Sequence, residues 1–464
     1  MFGKIKHIHF IGIGGAGMSG IALILHNLGY QVTGSDIAKT ELTETLSKKG
    51  IKIFYEHKPE NCQGAEVIVY SSAIDASNPE ITYAHNHKIP VIPRAEMLGE
   101  LMRMKFSIAI SGTHGKTTVT SLIGAMLEHA EFNPTVIIGG RVLGAETGAK
   151  LGQDYLVAEA DESDRSFLLL YPTIAVITNI EREHLDYYKN LSAIKKAFVE
   201  FANKVPFFGS VILGVDCPAV KKIIPYLKRE YITYGLNKSA EVRAENIKLF
   251  DFKSQFDLHY NGQVEQFIVN LPGIHNIQNA LATICVGLKL EVPMLKIKET
   301  LANFAGVHRR LELKGKKNDV IVYDDYGHHP TEIKATLTTL RHAYPESQIY
   351  VIFQPHRYTR TMYLAKDFAD SFDSADVLIL TKIYPASEPP IANVSSQLII
   401  DAIQSKNTST KKSRQLELIY KENFPEIVDY LLARLNKNIK NNIVIVTLGA
   451  GNIWQVGDEL LKHL

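Results

Sequence analysis

The stretch FSIAISGTHGKTT at residues 106–118 decides how this chain is read, because an apolar run passes through a Gly-Thr-x-Gly-Lys-Thr turn into a helical pattern. Phe106 to Ile110 reads as a strand and Lys116 to His129 as a helix, so the N–H groups of the loop and of the helix N-terminus converge on one anion. Lys116 then neutralises the outer phosphates, and the Thr117 hydroxyl is placed to ligate Mg2+. A protein that consumes ATP is expected. The turn is the shorter GTxGK[ST] form, since Ile110, not glycine, stands five residues before Gly115.

The chain has 464 residues, which predicts two or three domains, each burying its own core. Lys+Arg 51 against Asp+Glu 49 gives no basic field for nucleic acid, and 45% hydrophobic with 22% charged residues is an ordinary globular composition. Cys62, Cys217 and Cys285 are far apart with no CxxC pair, so neither a disulfide framework nor a cysteine zinc site is suggested, and a reducing cytoplasm fits best. The opening MFGKIKHIHFIGIGGAG resembles a signal peptide only superficially, because five glycines between Gly12 and Gly20 break the apolar run. No run of about 18 apolar residues follows, so membrane insertion is not expected.

Three α/β blocks are expected, at residues 1–105, 106–304 and 305–464. The first has strands at Ile5 to Ile11, Gln31 to Gly34, Val67 to Tyr70 and Pro90 to Ile92, with a helix from Ala16 to Leu28, and is Rossmann-like. The second adds strands at Tyr155 to Ala158 and Ile174 to Thr178, a helix at Asn276 to Leu288, and alternating runs over Tyr231 to Val269 that suggest an added antiparallel sheet. Strands at Val320 to Tyr323, Ile349 to Phe353, Val377 to Leu380 and Ile443 to Thr447 repeat the parallel α/β alternation in the third, and Ser405 to Arg414 reads as a solvated loop.

The turn Gly12-Ile13-Gly14-Gly15-Ala16-Gly17 contains GxGxxG, with Asp36 at the end of the next strand. Glycines let a diphosphate approach the helix N-terminus, and the acid can accept from ribose hydroxyls. Alone this reads as NAD binding, but any nucleoside diphosphate satisfies the same physics. EADESD (159–164) and TNIEREHLD (178–186) follow strands, so both put polar groups on the edge of the sheet that carries the phosphate loop. Glu159, Thr117 and phosphate oxygens would suit a hard Mg2+ ion. In GIHNIQNA (273–280), His275, Asn276 and Asn279 either cap a helix or bond a base. The clusters around His308–Arg310, Asp324–Pro330 and Gln354–Arg360 suit recognition of carboxylate and phosphate.

Together IHFIGIGGAGMSGIA, SGTHGKTT, AEADESD, TNIEREHLD, GIHNIQNALA, VHRRLE, DDYGHHPTEI and FQPHRYTRT resemble the Mur ligases, in order along essentially the whole chain. That resemblance implies an N-terminal Rossmann-like UDP-binding domain, a central P-loop ATPase-type parallel-sheet domain and a C-terminal Rossmann-like domain. It implies a cytoplasmic ATP-dependent amide ligase of peptidoglycan synthesis; GIGGAGMSG resembles the alanine-adding branch, which joins L-alanine to UDP-N-acetylmuramate. By the same matching, Gly12, Gly14, Gly15, Gly17, Asp36, Ser71 and Ser72 hold the UDP-sugar. Gly112, Thr113, Gly115, Lys116, Thr117, Thr118, His275, Asn279, Arg310 and Asp325 hold ATP, and Thr117, Glu159 and His184 the Mg2+. Tyr326, His356, Arg357 and Arg360 match positions that hold the amino acid and the reacting carboxylate. Phe198 stands where several sister ligases carry a carbamylated lysine, with Lys195 and Lys196 slightly earlier, so no carbamate is expected.

The implied chemistry transfers the γ-phosphoryl of ATP to the carboxylate, and an amine then displaces phosphate from the acyl phosphate. Lys116, Mg2+ and Arg310 neutralise the meeting anions. The catalytic set is Lys116, His184, Arg310, His356 and Arg357, and closure of the C-terminal domain is expected to exclude water. His184, His328, His329 and His356 are unranked candidates for the base. The rival readings are a ligase that attaches a recycled tripeptide, an NAD-dependent dehydrogenase using the first glycine turn, and a non-catalytic nucleotide-binding scaffold.

Overall fold

Runs of β-branched and aliphatic residues between amphipathic helices form three sheets. The computed structural model describes residues 3–138, 149–250, 252–386, 388–409, 416–435 and 442–464. The first sheet contains β1 (His7–Ile11), β2 (Gln31–Ser35), β3 (Lys52–Phe54), β4 (Val67–Tyr70) and β5 (Val91–Pro93), in the order β3-β2-β1-β4-β5. All its pairings are parallel. Strand order reverses between β1 and β4, so the turn after β1 and the residues after β4 open onto the crevice where such sheets bind ligands.

The second sheet holds β6 (Phe106–Ser111), β7 (Thr135–Ile137), β8 (Ala149–Lys150), β9 (Tyr155–Glu159), β10 (Ile174–Ile177), β11 (Ser210–Gly214), β12 (Tyr231–Gly235), β13 (Val242–Phe250), β14 (Lys253–Tyr260) and β15 (Gln263–Val269). Its order is β15-β14-β13-β12-β11-β10-β6-β9-β7-β8. β6 lies between β10 and β9, with Ser111 opposite Ile177 and Ile110 opposite Glu159, so three chain segments leave the sheet at one edge. The alternating runs over 231–269 do not build a separate sheet. β12 pairs with β13 in parallel, and the hairpin-length connections to β14 and β15 extend the same sheet outward.

The third sheet comprises β16 (Glu312–Lys317), β17 (Val320–Asp325), β18 (Gln348–Phe353), β19 (Val377–Leu380), β20 (Glu417–Tyr420) and β21 (Ile443–Leu448), ordered β16-β17-β21-β18-β19-β20. Its strands pair in parallel except for the antiparallel edge strand β16, which the sequence reading did not anticipate. The expected loop at 405–414 is helix through Ser409, and residues 410–414 lie outside the described ones.

The chain divides into two compact units, one holding residues 1–247, 255–269 and 277–305, the other residues 248–254, 270–276 and 306–464. The first two sheets share a core that runs from Ile8 and Phe10 through Met97, Leu98 and Leu101 to Phe167, Phe198 and Phe201, while the first sheet also buries a cluster of its own with Ile11, Ile68, Ile81 and Ala84. The helix Arg94–Arg103 accounts for this by burying Met97, Leu98, Leu101 and Met102. Full burial of each such side chain contributes about 1.5–3 kcal/mol. Phe198 is fully buried and packs edge-on to Phe167 at 5.3 Å, so it is part of an apolar core.

Candidate active site

The GTHGKTT turn joins β6 to the helix Lys116–His129, and two backbone conformations in it require glycine. Gly112 has φ +137° and Gly115 φ +84°. A Cβ on Gly112 would stand 2.1 Å from Thr178 Oγ1, and one on Gly115 2.6 Å from Asn279 Oδ1. The loop is braced by the segment after β10. Asn179 Oδ1 accepts from His114 N at 2.8 Å while its Nδ2 donates to His114 O at 3.1 Å. Thr178 Oγ1 donates to the same carbonyl at 2.6 Å, and Thr113 Oγ1 accepts from Glu181 N at 2.9 Å. Thr118 is buried in the helix's first turn, while Thr117 is partly exposed.

Lys116 folds back over this loop. Its Nζ donates to Gly112 O at 2.6 Å and to Glu162 Oε2 at 2.9 Å. Burial pushes the Glu162 carboxyl up to about 7 against the pull of Lys116, and the acids Glu162, Asp161 and Glu183 hold Lys116 firmly protonated despite its burial. Burial also opposes ionisation of Asp161, but Lys116, the Ser163 hydrogen bonds and the nearby His184 outweigh it and lower its pKa. Glu159 ends β9 opposite Ile110. His184 takes a left-handed backbone, φ +53°, with Nε2 3.9 Å from Glu183 Oε2. The structure thus gathers Lys116, Asp161, Glu162, Glu183 and His184 beside the loop.

The first glycine turn is braced by hydrogen bonds from within and from Asp36. Gly12 N and Ile13 N both donate to Ser35 O, and Gly15 N donates to Gly12 O. Asp36 accepts from Gly14 N at 2.8 Å and from Ala38 N at 3.0 Å, so its carboxylate braces the turn instead of standing clear for a ribose. The next two N–H groups, of Ala16 and Gly17, open the helix Ala16–Asn27 and have no acceptor within it. Arg94 lies against them: a Cβ on Gly17 would stand 2.8 Å from its Nη1. Its guanidinium has no hydrogen-bond or ion-pair partner among the described residues. Ser71 follows β4 and lies on the Gly12 side of the turn, 3.2 Å from where a Cβ on Gly12 would be, with Ser72 next in the chain.

Position 275 is not a cap. The helix Ile274–Lys289 begins before His275 and Asn276, and the Asn276 amide donates back to Pro272 O at 2.7 Å. Burial, then the Arg310 charge, lowers His275 to about 4, with Glu332 opposing.

In the second unit, Asp325 accepts from Leu311 N and Gly327 N, both at 2.7 Å, and burial pushes its carboxyl up to about 6 against Arg310. Arg309 is fastened to Asp324, Gly449 and Gly451, which leaves Arg310 as the reaching guanidinium, 5.2 Å above the Tyr326 ring and 3.7 Å from Glu332. Tyr326 meets His328 edge-on at 5.4 Å, His328 meets His356 at 5.6 Å, and His356 stacks on Tyr384 at 5.6 Å. Arg360 Nη1 donates to His356 Nδ1 at 3.1 Å. Arg357 is left-handed at φ +71° and starts the helix Tyr358–Ala369, with Nη1 3.9 Å from Glu388. Tyr326, His356 and Arg360 therefore form one cluster, with Arg357 at its margin.

Three family models match in succession: the Mur ligase family catalytic domain at residues 7–106, the Mur ligase middle domain at 110–287, and the Mur ligase glutamate ligase domain at 309–451. The chain belongs to the Mur ligase family. Among Mur ligases, it is 49% identical over 467 residues to a UDP-N-acetylmuramate–L-alanine ligase of Trichlorobacter lovleyi, covering 100% of both chains. It is 48% identical to one of a Geobacter species, covering 100% of this chain and 99% of that one. A solved UDP-N-acetylmuramate–alanine ligase from Thermotoga maritima superposes with a TM-score of 0.81 at 29% identity, over 99% of each chain. A murein peptide ligase from Psychrobacter arcticus, with a TM-score of 0.71 and 24% identity over 98% of each chain, shares the fold.

Against this Mur ligase background the sequence reading missed four side chains. Glu162 lay inside the quoted EADESD, but its partner is 46 residues away. Asn179 lay inside TNIEREHLD without a role. Arg94 and Tyr384 carried no motif signal, and only the folded chain brings them to the glycine turn and to His356.

Proposed function

We propose that this Mur ligase joins L-alanine to the carboxylate of UDP-N-acetylmuramate at the expense of ATP, releasing ADP and phosphate. The observation that carries the reading is Lys116, held over a preformed glycine loop beside buried acids, in a chain that matches alanine-adding ligases end to end. Residues 1–105 take the UDP-sugar, 106–304 the ATP and 305–464 the amino acid.

A carboxylate repels nucleophiles and has no good leaving group, so phosphorylation to an acyl phosphate is the first requirement. Lys116 shifts from Glu162 to the phosphates, and the Gly112–Thr118 loop surrounds them with N–H donors. The family resemblance gives Asn279, whose Oδ1 approaches Gly115, a role at the adenine, and Arg310, Asp325 and His275 roles at the nucleotide. Thr117 and Glu159 fit Mg2+, because both are hard oxygen donors at the edge where β6 and β9 end, and the family resemblance adds His184. When bound, Mg2+ neutralises charge on the phosphate oxygens. Tyr326, His356, Arg357 and Arg360 hold the alanine and the carboxylate. Ser71, Ser72, the glycine turn and the Arg94 guanidinium hold the UDP diphosphate, with Asp36 keeping the turn in shape.

No helix among the described residues is long and apolar enough to cross a membrane, and all three cysteines are free. These observations support action in the cytoplasm.

Phosphate release, measured with ATP and Mg2+ and with UDP-N-acetylmuramate or L-alanine omitted in turn, tests the reading. Release that needs both is expected. Release without either, or none with both, would refute it.

A further inference from the structure

Three side chains that the ligase reading does not use meet on the far face of the first sheet. His9 from β1, Cys62 from the short helical turn Pro59–Cys62 and Glu80 from the helix Pro79–Asn86 are each fully buried, and one donor atom from each lies within 4.8 Å of the other two. Alternation along β1 brings them together. Ile8 and Phe10 point into the core shared with the second sheet, so His9 and Ile11 point to the opposite face, where Cys62 and Ile81 pack.

His9 Nε2 has no hydrogen-bond partner among the described residues and stands 3.6 Å from Glu80 Oε2. The bonds behind the ring fix what it presents. Burial lowers His7 below its ordinary range, so that ring is neutral; a hydrogen bond to the Gly64 backbone opposes the shift, as only a carbonyl would, and takes the one proton. His7 Nε2 therefore accepts from Thr33 Oγ1 at 2.9 Å, and the same hydroxyl, its proton used, accepts from His9 Nδ1 at 2.8 Å. A neutral His9 then carries its lone pair on Nε2.

Glu80 is as firmly arranged. Its Oε1 accepts from Asn61 Nδ2 at 2.6 Å and from Lys58 N at 3.3 Å, and its Oε2 accepts from Ser35 Oγ at 2.6 Å. Oε2 keeps capacity for one more partner on the side of His9. Cys62 Sγ donates to the Glu80 carbonyl at 3.9 Å, a long contact that costs little to give up. Two acceptors that face each other in a buried site repel unless a cation lies between them. A proton would serve His9 and Glu80 alone, whereas a divalent ion would use the sulfur as well. Tetrahedral Zn2+ holds such donors about 3.3–3.5 Å apart, close to the His9–Glu80 separation, and sulfur with imidazole selects it over Mg2+, which prefers oxygen.

We propose that His9 Nε2, Cys62 Sγ and Glu80 Oε2 bind one Zn2+ ion, which ties β1 to the turn and helix that cover it. Binding breaks the S–H bond: the proton leaves to solvent, and the sulfur electron pair forms the Zn–S bond. Thr33 is a positioning residue, since its hydroxyl sets the lone pair of His9 toward the ion. His57, partly exposed with Nδ1 3.4 Å from Glu80 Oε2, marks the solvent side from which the ion enters. None of these residues belongs to the proposed ligase machinery, so the ion's binding is testable whether or not the chain ligates alanine.

For the test, full-length protein freed of metal by a chelator is titrated with Co2+, a spectroscopic stand-in for Zn2+, with Mg2+ in excess to fill sites built of oxygen donors. One Co2+ per chain is expected, with a sulfur-to-cobalt absorption in the near ultraviolet that added Zn2+ abolishes. Cys62→Ser should lose this absorption, and Thr33→Val should weaken Co2+ binding about 10- to 100-fold. Metal-free melting curves verify that both variants are folded. Lack of the absorption in the unaltered chain would mean that His9 and Glu80 share only a proton, and would overturn the site even if neither variant folds. Absorption that survives in Cys62→Ser would come from Cys217 or Cys285 and would overturn it equally, and unchanged affinity in Thr33→Val would remove His9 from the ligands.

Discussion

Lys116 Nζ lies 2.9 Å from Glu162 Oε2 and 3.1 Å from Oε1, with the Glu162 side chain only 4% exposed. On the proposed reading the lysine for the phosphates is therefore already paired, and nucleotide binding would exchange one anion for another. Glu162→Gln removes the carboxylate paired with the ammonium and leaves Asp161 and Glu183 to offset its charge, which costs about 1–3 kcal/mol in the ligand-free protein. The variant should melt at a lower temperature than the unaltered chain and gain more from added ATP. Thermal melts with and without ATP check this, and an equal ATP-induced shift in both proteins would contradict it.

The two hydrogen bonds between Asn179 and the His114 backbone preform the loop. Asn179→Ala removes both, and at about 1 kcal/mol each the KM for ATP should rise roughly tenfold or more. The KM for UDP-N-acetylmuramate should remain unchanged. Initial-rate kinetics with each substrate varied in turn distinguish this from a general loss of structure.

Arg94 puts a cation without a partner among the described residues against the turn proposed to take the diphosphate. A charge-assisted hydrogen bond is worth about 1.5–3 kcal/mol, so Arg94→Ala should raise the KM for the UDP-sugar by about 10- to 100-fold. The KM for ATP should not move. Calorimetric titration of UDP-N-acetylmuramate into both proteins is the direct check.

His275 is held at about 4 in the folded chain, by burial first and the Arg310 charge second, against an ordinary value of 6.5. The unfolded chain binds more protons between those values, so this contribution to stability is complete above about 6.5 and is lost as pH falls toward 4. Melting temperature should drop across that window, and His275→Asn should flatten the drop. Superimposable pH profiles for the two proteins would argue against it.

The phosphate loop was legible because its signals are local: an apolar run, two glycines that need positive φ, and a helix beginning at the lysine. The predicted helix Lys116 to His129 matches the observed bounds. β16 was missed because ELKGKK is a partly exposed, lysine-rich edge strand with no apolar periodicity. The alternation at 231–269 showed strands but not their sheet, since pairing to β12 is a tertiary choice. In the site, residue types were legible while their partners were not. Asp36 was visible at a strand end, yet its commitment to Gly14 N depends on how the turn folds. Likewise GHHP offered two adjacent histidines, but not that one ring would meet the Tyr326 carbonyl and the other the Thr331 N–H.

The most direct test of the central claim is the mass of the product formed when ATP, Mg2+ and UDP-N-acetylmuramate are supplied with L-alanine and the L-alanyl-γ-D-glutamyl-meso-diaminopimelate tripeptide in competition. The account predicts UDP-N-acetylmuramoyl-L-alanine as the product, formed with ADP and phosphate in equal amounts. Predominant formation of the tripeptide adduct would contradict it.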